Sequence, residues 1–444
     1  MLKTFKMGGV HPRENKISEK DKIRVLPVPA KAYIPFSQHL GAPAKVIVNK
    51  GDTVKTGQLI AKGEAFISAN IHSSVSGKVL KVDNIVDASG YKRPSVVINV
   101  EGDEWVDTID RSETLKKEIS LDQKKIIAKI NEMGIVGMGG ATFPSHVKLM
   151  VPDGKKAEAL IINGVECEPY LTADHRLMLE KGEELIIGTR ILMTGLGVKK
   201  AMIGIEANKP DAIEYMRKLA AGYDGIEVYG LKVKYPQGAE KQLIKALTGR
   251  EVPSGKLPIE VGTVVNNAGT AFAVYEAVQK NKPLIERIVT VTGKSLKEPS
   301  NFIVRIGTPV IELIEAAGGL PENTGKVIAG GPMMGKAVSS LEVPVVKGTS
   351  GILILPEEES KRAPVMHCIR CGKCITACPM GLEPWLLEKL VYIEDFERAE
   401  EERIMDCIEC GSCHYACPAG RQLLDYMRVG KSRVGQIIRS RSKK

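Results

Sequence analysis

The chain is 444 residues long and carries 63 Lys and Arg against 53 Asp and Glu, a net charge of +10. That length accommodates about three or four domains of ordinary size. Only 5% of the residues are aromatic and no RNA- or DNA-binding module is visible, so no nucleic acid partner is expected. No run approaches the ~18 apolar residues of a spanning helix, and residues 1–6 (MLKTFK) lack the apolar stretch of a signal peptide. A soluble or peripheral protein is expected.

Residues 1–112 read as all-β. Short runs at 44–48 (AKVIV), 58–61 (QLIA) and 77–82 (GKVLKV) are separated by Gly, Asn and Asp turns. Residues 49–58 (NKGDTVKTGQ), followed by 76–79 (SGKV), resemble the biotinyl/lipoyl-type barrel-sandwich fold. A carrier of that fold exposes a lysine on the hairpin between these halves, but residues 64–76 (EAFISANIHSSVS) contain none. The resemblance therefore implies a docking domain without a swinging cofactor.

Residues 113–282 change to an α/β pattern. Residues 121–133 have helical period, 159–162 (ALII) and 201–205 (AMIGI) read as short buried strands, and helix-like stretches fall at 176–194 and 209–220. Residues 134–148 (GIVGMGGATFPSHVK) gather Gly137, Gly139 and Gly140, with Phe143 and Lys148 close behind. Glycines let several backbone N–H groups converge on a phosphate, and Lys148 adds a charge; a plain turn is the alternative. The spacing is not G-x-G-x-x-G and the segment follows a helix, so the dinucleotide fingerprint is not met. Residues 163–169 (NGVECEP) lie just past the strand at 159–162, where open α/β sheets place ligands, and supply Asn163, Glu166 and Glu168. Residues 235–240 add Tyr235, Gly238 and Glu240, and residues 265–270 add Asn266, Asn267 and Thr270. No side chain is assigned as a catalytic acid or base. Cys167 reads as packing, and His11 and His72 receive no role.

Residues 283–350 form a strand–turn–strand–helix unit, with 287–292 (RIVTVT) pairing with 302–306 (FIVRI) and a helix opening on Pro309 at its first position. The unit resembles a β-grasp module. Residues 351–430 begin with a charged linker at 357–364 and hold eight of the nine cysteines. Cys368, Cys371, Cys374 and Cys378 form a C-x-x-C-x-x-C-x-x-x-C-P run, and Cys407, Cys410, Cys413 and Cys417 repeat it 39 residues later. This is the bacterial two-cluster ferredoxin pattern, in which three thiolates hold one [4Fe–4S] cube and the fourth ligates the other. It implies one cluster on Cys368, Cys371, Cys374 and Cys417, and another on Cys407, Cys410, Cys413 and Cys378. Paired zinc sites are the alternative, although zinc gains nothing from the third step or the C-P ending. Cysteines used this way, rather than in a disulfide framework, point to a reducing compartment. In the last stretch Arg428, Lys431, Arg433, Arg439, Arg441, Lys443 and Lys444 come without an acid. Residues 431–444 read as a basic tail, suited to anionic headgroups or an acidic partner, or merely solvated.

The segments at 134–148, 163–169, 235–240 and 265–270 together resemble the flavoprotein subunit of respiratory complex I, in the same order and through the β-grasp unit. The resemblance implies that Gly137, Gly139, Gly140, Lys148, Asn163, Asn266, Asn267 and Thr270 contact FMN, and that Phe143, Glu168 and Glu240 face NADH. Glu166, Tyr235 and Gly238 complete the cofactor-binding set. Met138 stands where that family has Arg, Val165 stands where it has Asp, and that family has one cluster motif where this chain has two. With residues 6–12 (KMGGVHP) at the front, the whole order resembles the RnfC family of Rnf electron-transport complexes. The expected fold is multidomain α/β and α+β: barrel-sandwich, Rossmann-like FMN domain, β-grasp module and helical two-cluster domain. The resemblance implies a peripheral subunit on the cytoplasmic face of the cell membrane. It would pass electrons between NADH and ferredoxin through other subunits of a membrane redox complex, including a ferredoxin-like iron–sulfur subunit, coupled to Na⁺ or H⁺ translocation. A soluble reductase resembling the cobalamin reductases, and a non-catalytic electron relay, are the alternatives.

Overall fold

The computed structural model describes residues 2–441. Its front module packs two small sheets together. One runs Lys31–Pro35, Lys92–Val100, Gly77–Val86 and Thr53–Val54; the other runs Lys45–Val46, Leu59–Lys62 and Ile71–His72. Ile34, Ile60, Ile71, Val79, Val96 and Ile98 turn inward to one apolar core, as the two-residue strand period requires. The lysine-free hairpin turns toward the next module instead: Asn70 donates its amide to Glu132 O at 3.1 Å.

The second module is a parallel sheet in the order Ile226–Leu231, Ala201–Glu206, Ala159–Asn163, Thr263–Asn267. Ala201–Glu206 is buried at every position, the pattern of a parallel strand covered on both faces. Leu160, Ile162, Ile203 and Ile205 pack with the helices Gly182–Leu196 and Ala268–Lys280. Ile161, Met202 and Val265 pack with Leu243, Ile244 and Leu247 on the other face. The chain moves outward from 159–163 through two strands, then returns to the opposite side of it at 263–267. That reversal opens a crevice at the carboxyl ends of these two neighbours.

The third module is a six-stranded sheet: Ile23–Val25, Ser300–Arg305, Glu286–Thr292, Gly351–Pro356, Thr324–Ala329, Lys336–Ala337. The expected antiparallel pairing of Glu286–Thr292 with Ser300–Arg305 is present. Two strands come from outside residues 283–350. Ile23–Val25 joins Ser300–Arg305 in parallel, and Gly351–Pro356, read from the sequence as the start of the cluster domain, lies between Glu286–Thr292 and Thr324–Ala329. Its apolar run is buried by partners more than twenty residues away, which local pattern does not show. Pro309 caps the helix Val310–Ala316 with an extended ψ of 142° rather than opening it as its first residue. Lys347 fastens three modules together, its ammonium donating to Asn70 O and Gly134 O, both at 2.7 Å.

The fourth module is helical: Lys373–Ala377, Pro384–Tyr392, Phe396–Glu401, Ser412–Ala416 and Leu423–Arg441. The last helix corrects the reading of a basic tail. Met427 and Val434 are buried with Leu387, Val391 and Ile404, and Gly430 lets the helix come close, since a Cβ there would stand 2.4 Å from Ile404 Cδ1. The acids missing from the segment come from elsewhere: Glu409 pairs with Arg428 and Lys431, and Glu400 with Arg441. Lys443 and Lys444 lie outside the described residues. Among the described residues no helix is long and apolar enough to cross a membrane.

Candidate functional site

Asn163 and Asn267 are register partners at the ends of the two strands that flank the crevice. Asn267 caps the helix Ala268–Lys280, its Oδ1 accepting from Gly269 N at 2.8 Å, so the positive end of that helix is directed at the crevice. Its Nδ2 donates to Asp174 Oδ2 at 2.7 Å. Asn163 donates to Gly238 O at 2.7 Å and accepts from Val165 N at 3.1 Å. The glycine loop closes on itself through Gly137 N to Phe143 O at 2.8 Å and is tied to the helix through Met138 N to Thr270 Oγ1 at 2.9 Å. Gly139 needs its left-handed φ of +78°, and a Cβ there would stand 3.1 Å from Asn267 Nδ2; around Gly140 the space is open. The Lys148 ammonium donates to Val265 O at 3.0 Å and pairs with Glu240 at 3.2 Å. The structure thus gathers the glycines, Lys148, Asn163, Gly238, Glu240, Asn266, Asn267 and Thr270 around one crevice, with half-buried Phe143 at the loop's end.

Asn266 is 3% exposed, and neither polar atom of its amide has a partner. An unmet buried polar group costs about 1–3 kcal/mol. A carboxamide free to donate and accept, an open glycine loop and a lysine fit a flavin mononucleotide.

Three members of the predicted set are turned to other work. Glu166 accepts from Asp174 N at 2.8 Å and His175 N at 3.2 Å, capping the helix Ala173–Glu180. The Glu168 carboxylate accepts from Met333 N at 3.1 Å and Met334 N at 2.8 Å, and burial raises its pKa to about 7. The Tyr235 hydroxyl donates to Cys410 O at 2.8 Å, toward the cysteine module. Two buried ammonium groups shape the loop that carries both acids. Lys16 donates to the carbonyls of Glu166, Glu168 and Leu171 at 2.7–2.9 Å, with burial lowering its pKa to about 8; Lys209 donates to Val165 O at 2.9 Å.

Sequence reasoning missed these lysines and Arg287. Arg287 is buried, contacts Met138 Sδ and donates to Thr349 O at 3.2 Å. Burial lowers its pKa to about 10, against the pull of the Asp174 carboxylate. A guanidinium from the third module therefore reaches the glycine loop at Met138. An arginine opening the apolar run 287–292 was the available signal.

The cysteines line two separate cavities. Cys368, Cys371, Cys374 and Cys417 share one, with Trp385, Glu388 and Arg421. Cys378, Cys407, Cys410 and Cys413 share the other. Each run turns at a left-handed glycine, Gly372 or Gly411, into a five-residue helix that ends at its fourth cysteine. That ending carries the fourth thiol across to the other run. In the second cavity Cys378 Sγ accepts from Leu382 N and Cys407 Sγ from Glu409 N, both at 3.4 Å. Burial raises the Cys407 thiol to about 11 and pushes Cys410 and Cys413 up as well, so assembly of a cluster there releases protons. Four thiols per cavity fit an iron–sulfur cube. Among the described residues no group of three His, Cys, Asp or Glu is placed for a single metal ion.

Four family profiles match in chain order: RnfC barrel sandwich hybrid domain at residues 3–103, Nuo51 FMN-binding domain at 130–276, SLBB domain at 288–337 and 4Fe-4S dicluster domain at 362–418. The air-oxidized NAD⁺-reducing [NiFe]-hydrogenase structure has a similar fold over 70% of this chain and 63% of its own, with TM-score 0.51 and 19% identity. The C subunit of the Na⁺-translocating ferredoxin:NAD⁺ oxidoreductase complex of Acetobacterium woodii is 47% identical, over 86% of each chain. Its counterpart in the ion-translocating oxidoreductase complex of Rhodobacter capsulatus is 44% identical, over 90% of this chain and 77% of its own. The counterpart in the proton-translocating ferredoxin:NAD⁺ oxidoreductase complex of Clostridium ljungdahlii is 50% identical, over 90% of this chain and 87% of its own. With 44–50% identity over 86–90% of its length to these C subunits, and with the RnfC barrel sandwich hybrid domain at its front, the chain belongs to the RnfC family, the C subunits of Rnf ion-translocating ferredoxin:NAD⁺ oxidoreductase complexes.

Proposed function

We infer that this chain is the NADH-linked electron-transfer subunit of a ferredoxin:NAD⁺ oxidoreductase complex, using FMN and two [4Fe–4S] clusters. FMN takes the electron pair of a hydride and releases electrons singly, which matches a nicotinamide to one-electron clusters. The observation that carries the reading is the switch-point crevice, with its unpartnered Asn266 amide, joined to a four-cysteine cavity through Tyr235. Gly137, Gly139, Gly140, Lys148, Asn163, Asn266, Asn267 and Thr270 bind the flavin. Phe143 and Glu240 face the nicotinamide nucleotide. Glu166 caps the helix Ala173–Glu180 and Glu168 holds the loop at 333–334, so both support the surroundings of the site. Cys368, Cys371, Cys374 and Cys417 ligate one cluster, and Cys378, Cys407, Cys410 and Cys413 the other.

Exposed Cys368 and Cys371, flanked by exposed Met366 and Ile369, suit contact with a ferredoxin-like iron–sulfur subunit of the same complex. The chain sits on the cytoplasmic face of the membrane, where the membrane subunits translocate the coupling ion, Na⁺ or H⁺. The test is anaerobic reconstitution with iron, sulfide and FMN, then addition of NADH while flavin and cluster absorbance are followed. Bleaching of both is expected; flavin that stays oxidised beside intact clusters would overturn the reading.

A further inference from the structure

The cysteine module is joined to the strand Gly351–Pro356 through residues 361–367, all exposed. A strap of N-terminal residues ties it to the flavin module. Gly9 N donates to Ala377 O at 2.9 Å, and Val10 and Tyr235 exchange both backbone bonds, at 2.8 and 2.9 Å. Gly8 adopts φ +66°, and a Cβ there would stand 2.4 Å from Cys378 C and O and 2.6 Å from Pro379 N. Val10, Tyr235, Ala377 and Cys410 form one buried apolar cluster, with Cys167 packed on it. From the crevice side, Gly238 N donates to Cys167 Sγ at 3.4 Å while Gly238 O accepts from Asn163. Gln242 adds a bond to Pro379 O at 3.1 Å. Of the partners on the cysteine side, Cys378, Pro379 and Cys410 line the second cavity and none lines the first.

We propose that Gly8, Gly9 and Val10 are positioning residues that set the gap between flavin and clusters, and that the cluster on Cys378, Cys407, Cys410 and Cys413 is the one that exchanges electrons with the flavin. The cluster on Cys368, Cys371, Cys374 and Cys417 is then the exit toward the surface. This rests on the flavin reading above. Each event moves one electron from reduced flavin, the reductant, to an oxidised cube, the oxidant; no bond of the chain forms or breaks, and the flavin proton leaves to water.

The test uses the reconstituted full chain. Gly8→Ala should leave FMN content, iron content and NADH bleaching of flavin as in the native protein, while slowing cluster bleaching by about tenfold or more, since a small misplacement has large kinetic effect. Amide hydrogen exchange at Gly9 and Val10 should rise in the same variant, with or without cofactors. Cluster bleaching at the native rate despite faster exchange would overturn the spacer. If Gly8→Ala loses iron, Val10→Ala, which keeps the backbone bonds, decides by the same split. For the order of clusters, Cys407→Ala should leave one cluster that dithionite reduces but NADH does not; native-rate reduction by NADH would reverse the assignment. If NADH fails to bleach flavin even in the native chain, the functional reading fails, and photoreduced flavin then drives the same comparisons.

Discussion

The two cysteine runs share one spacing and differ in what surrounds them. In the first cavity Cys368 and Cys371 are exposed and neighbour exposed Met366 and Ile369. In the second, Cys378, Cys410 and Cys413 are each less than a tenth exposed, and strap, Tyr235 and Gln242 press on the site from the flavin module. Hydrogen bonds to sulfur and solvent exposure both tune a cluster, so equal ligands do not give equal potentials. A repeated motif specifies which atoms bind; the packing around each copy assigns it an inner or an outer position in the path.

The largest effect is expected at Cys378. Cys378→Ala should remove the cluster held by Cys407, Cys410 and Cys413 and about half of the bound iron, because the fourth cysteine of a run serves the other cube. Iron and sulfide analysis with EPR checks it; loss of the surface cluster alone would break the comparison. Next is Asn266→Leu, which separates flavin loading from cluster assembly. FMN should bind about tenfold or more weakly, ~1.4 kcal/mol, while iron stays full and the unloaded chain is no less stable, since the variant deletes two unpartnered buried atoms. Unchanged FMN affinity in a titration would remove Asn266 from the site.

A smaller effect is expected at Glu168, which holds the 333–334 loop near the second run; Gly411 is close enough that a Cβ there would stand 2.8 Å from Met333 O. Burial raises its pKa from 4.5 to about 7, so the folded protein binds this proton more tightly than the unfolded chain. Its contribution to stability is full below pH 4.5 and is lost as pH rises through about 7. Glu168→Gln should therefore show a shallower fall in Tm across that window, and parallel Tm curves for variant and native protein would refute it. The smallest effect is at Arg441, far along the last helix, whose pair with Glu400 is half exposed. Arg441→Ala should change unfolding free energy by at most ~0.5 kcal/mol and leave both clusters as they are; a cluster lost there would mean the helix end supports a site.

Much of the architecture was legible because it is written in short patterns. The C-x-x-C-x-x-C-x-x-x-C-P spacing, the glycines at 137–140 and the apolar runs at 159–162 and 201–205 each act through neighbours within a few residues. Where reading failed, the cause was distance along the chain. Gly351–Pro356 looks like any apolar strand until its partners at 290–292 and 326–329 are known. Residues 428–441 look like a solvated basic end because the acids that pair with them lie at 397–409. Glu168 looks free to meet a nucleotide until loop 333–334 is folded onto it.

The sequence by itself determined the ligand types, their spacing and the order of modules, because thiolate reach, glycine conformations and strand periodicity are local properties. Only the tertiary structure decided that Arg287 meets Met138, that Lys16 and Lys209 fix the loop at 163–171, and that the strap at 8–10 brings one cysteine cavity and not the other against the flavin module. Most of those contacts join residues more than a hundred positions apart, and burial strengthens each polar interaction only once the intervening chain has folded around it.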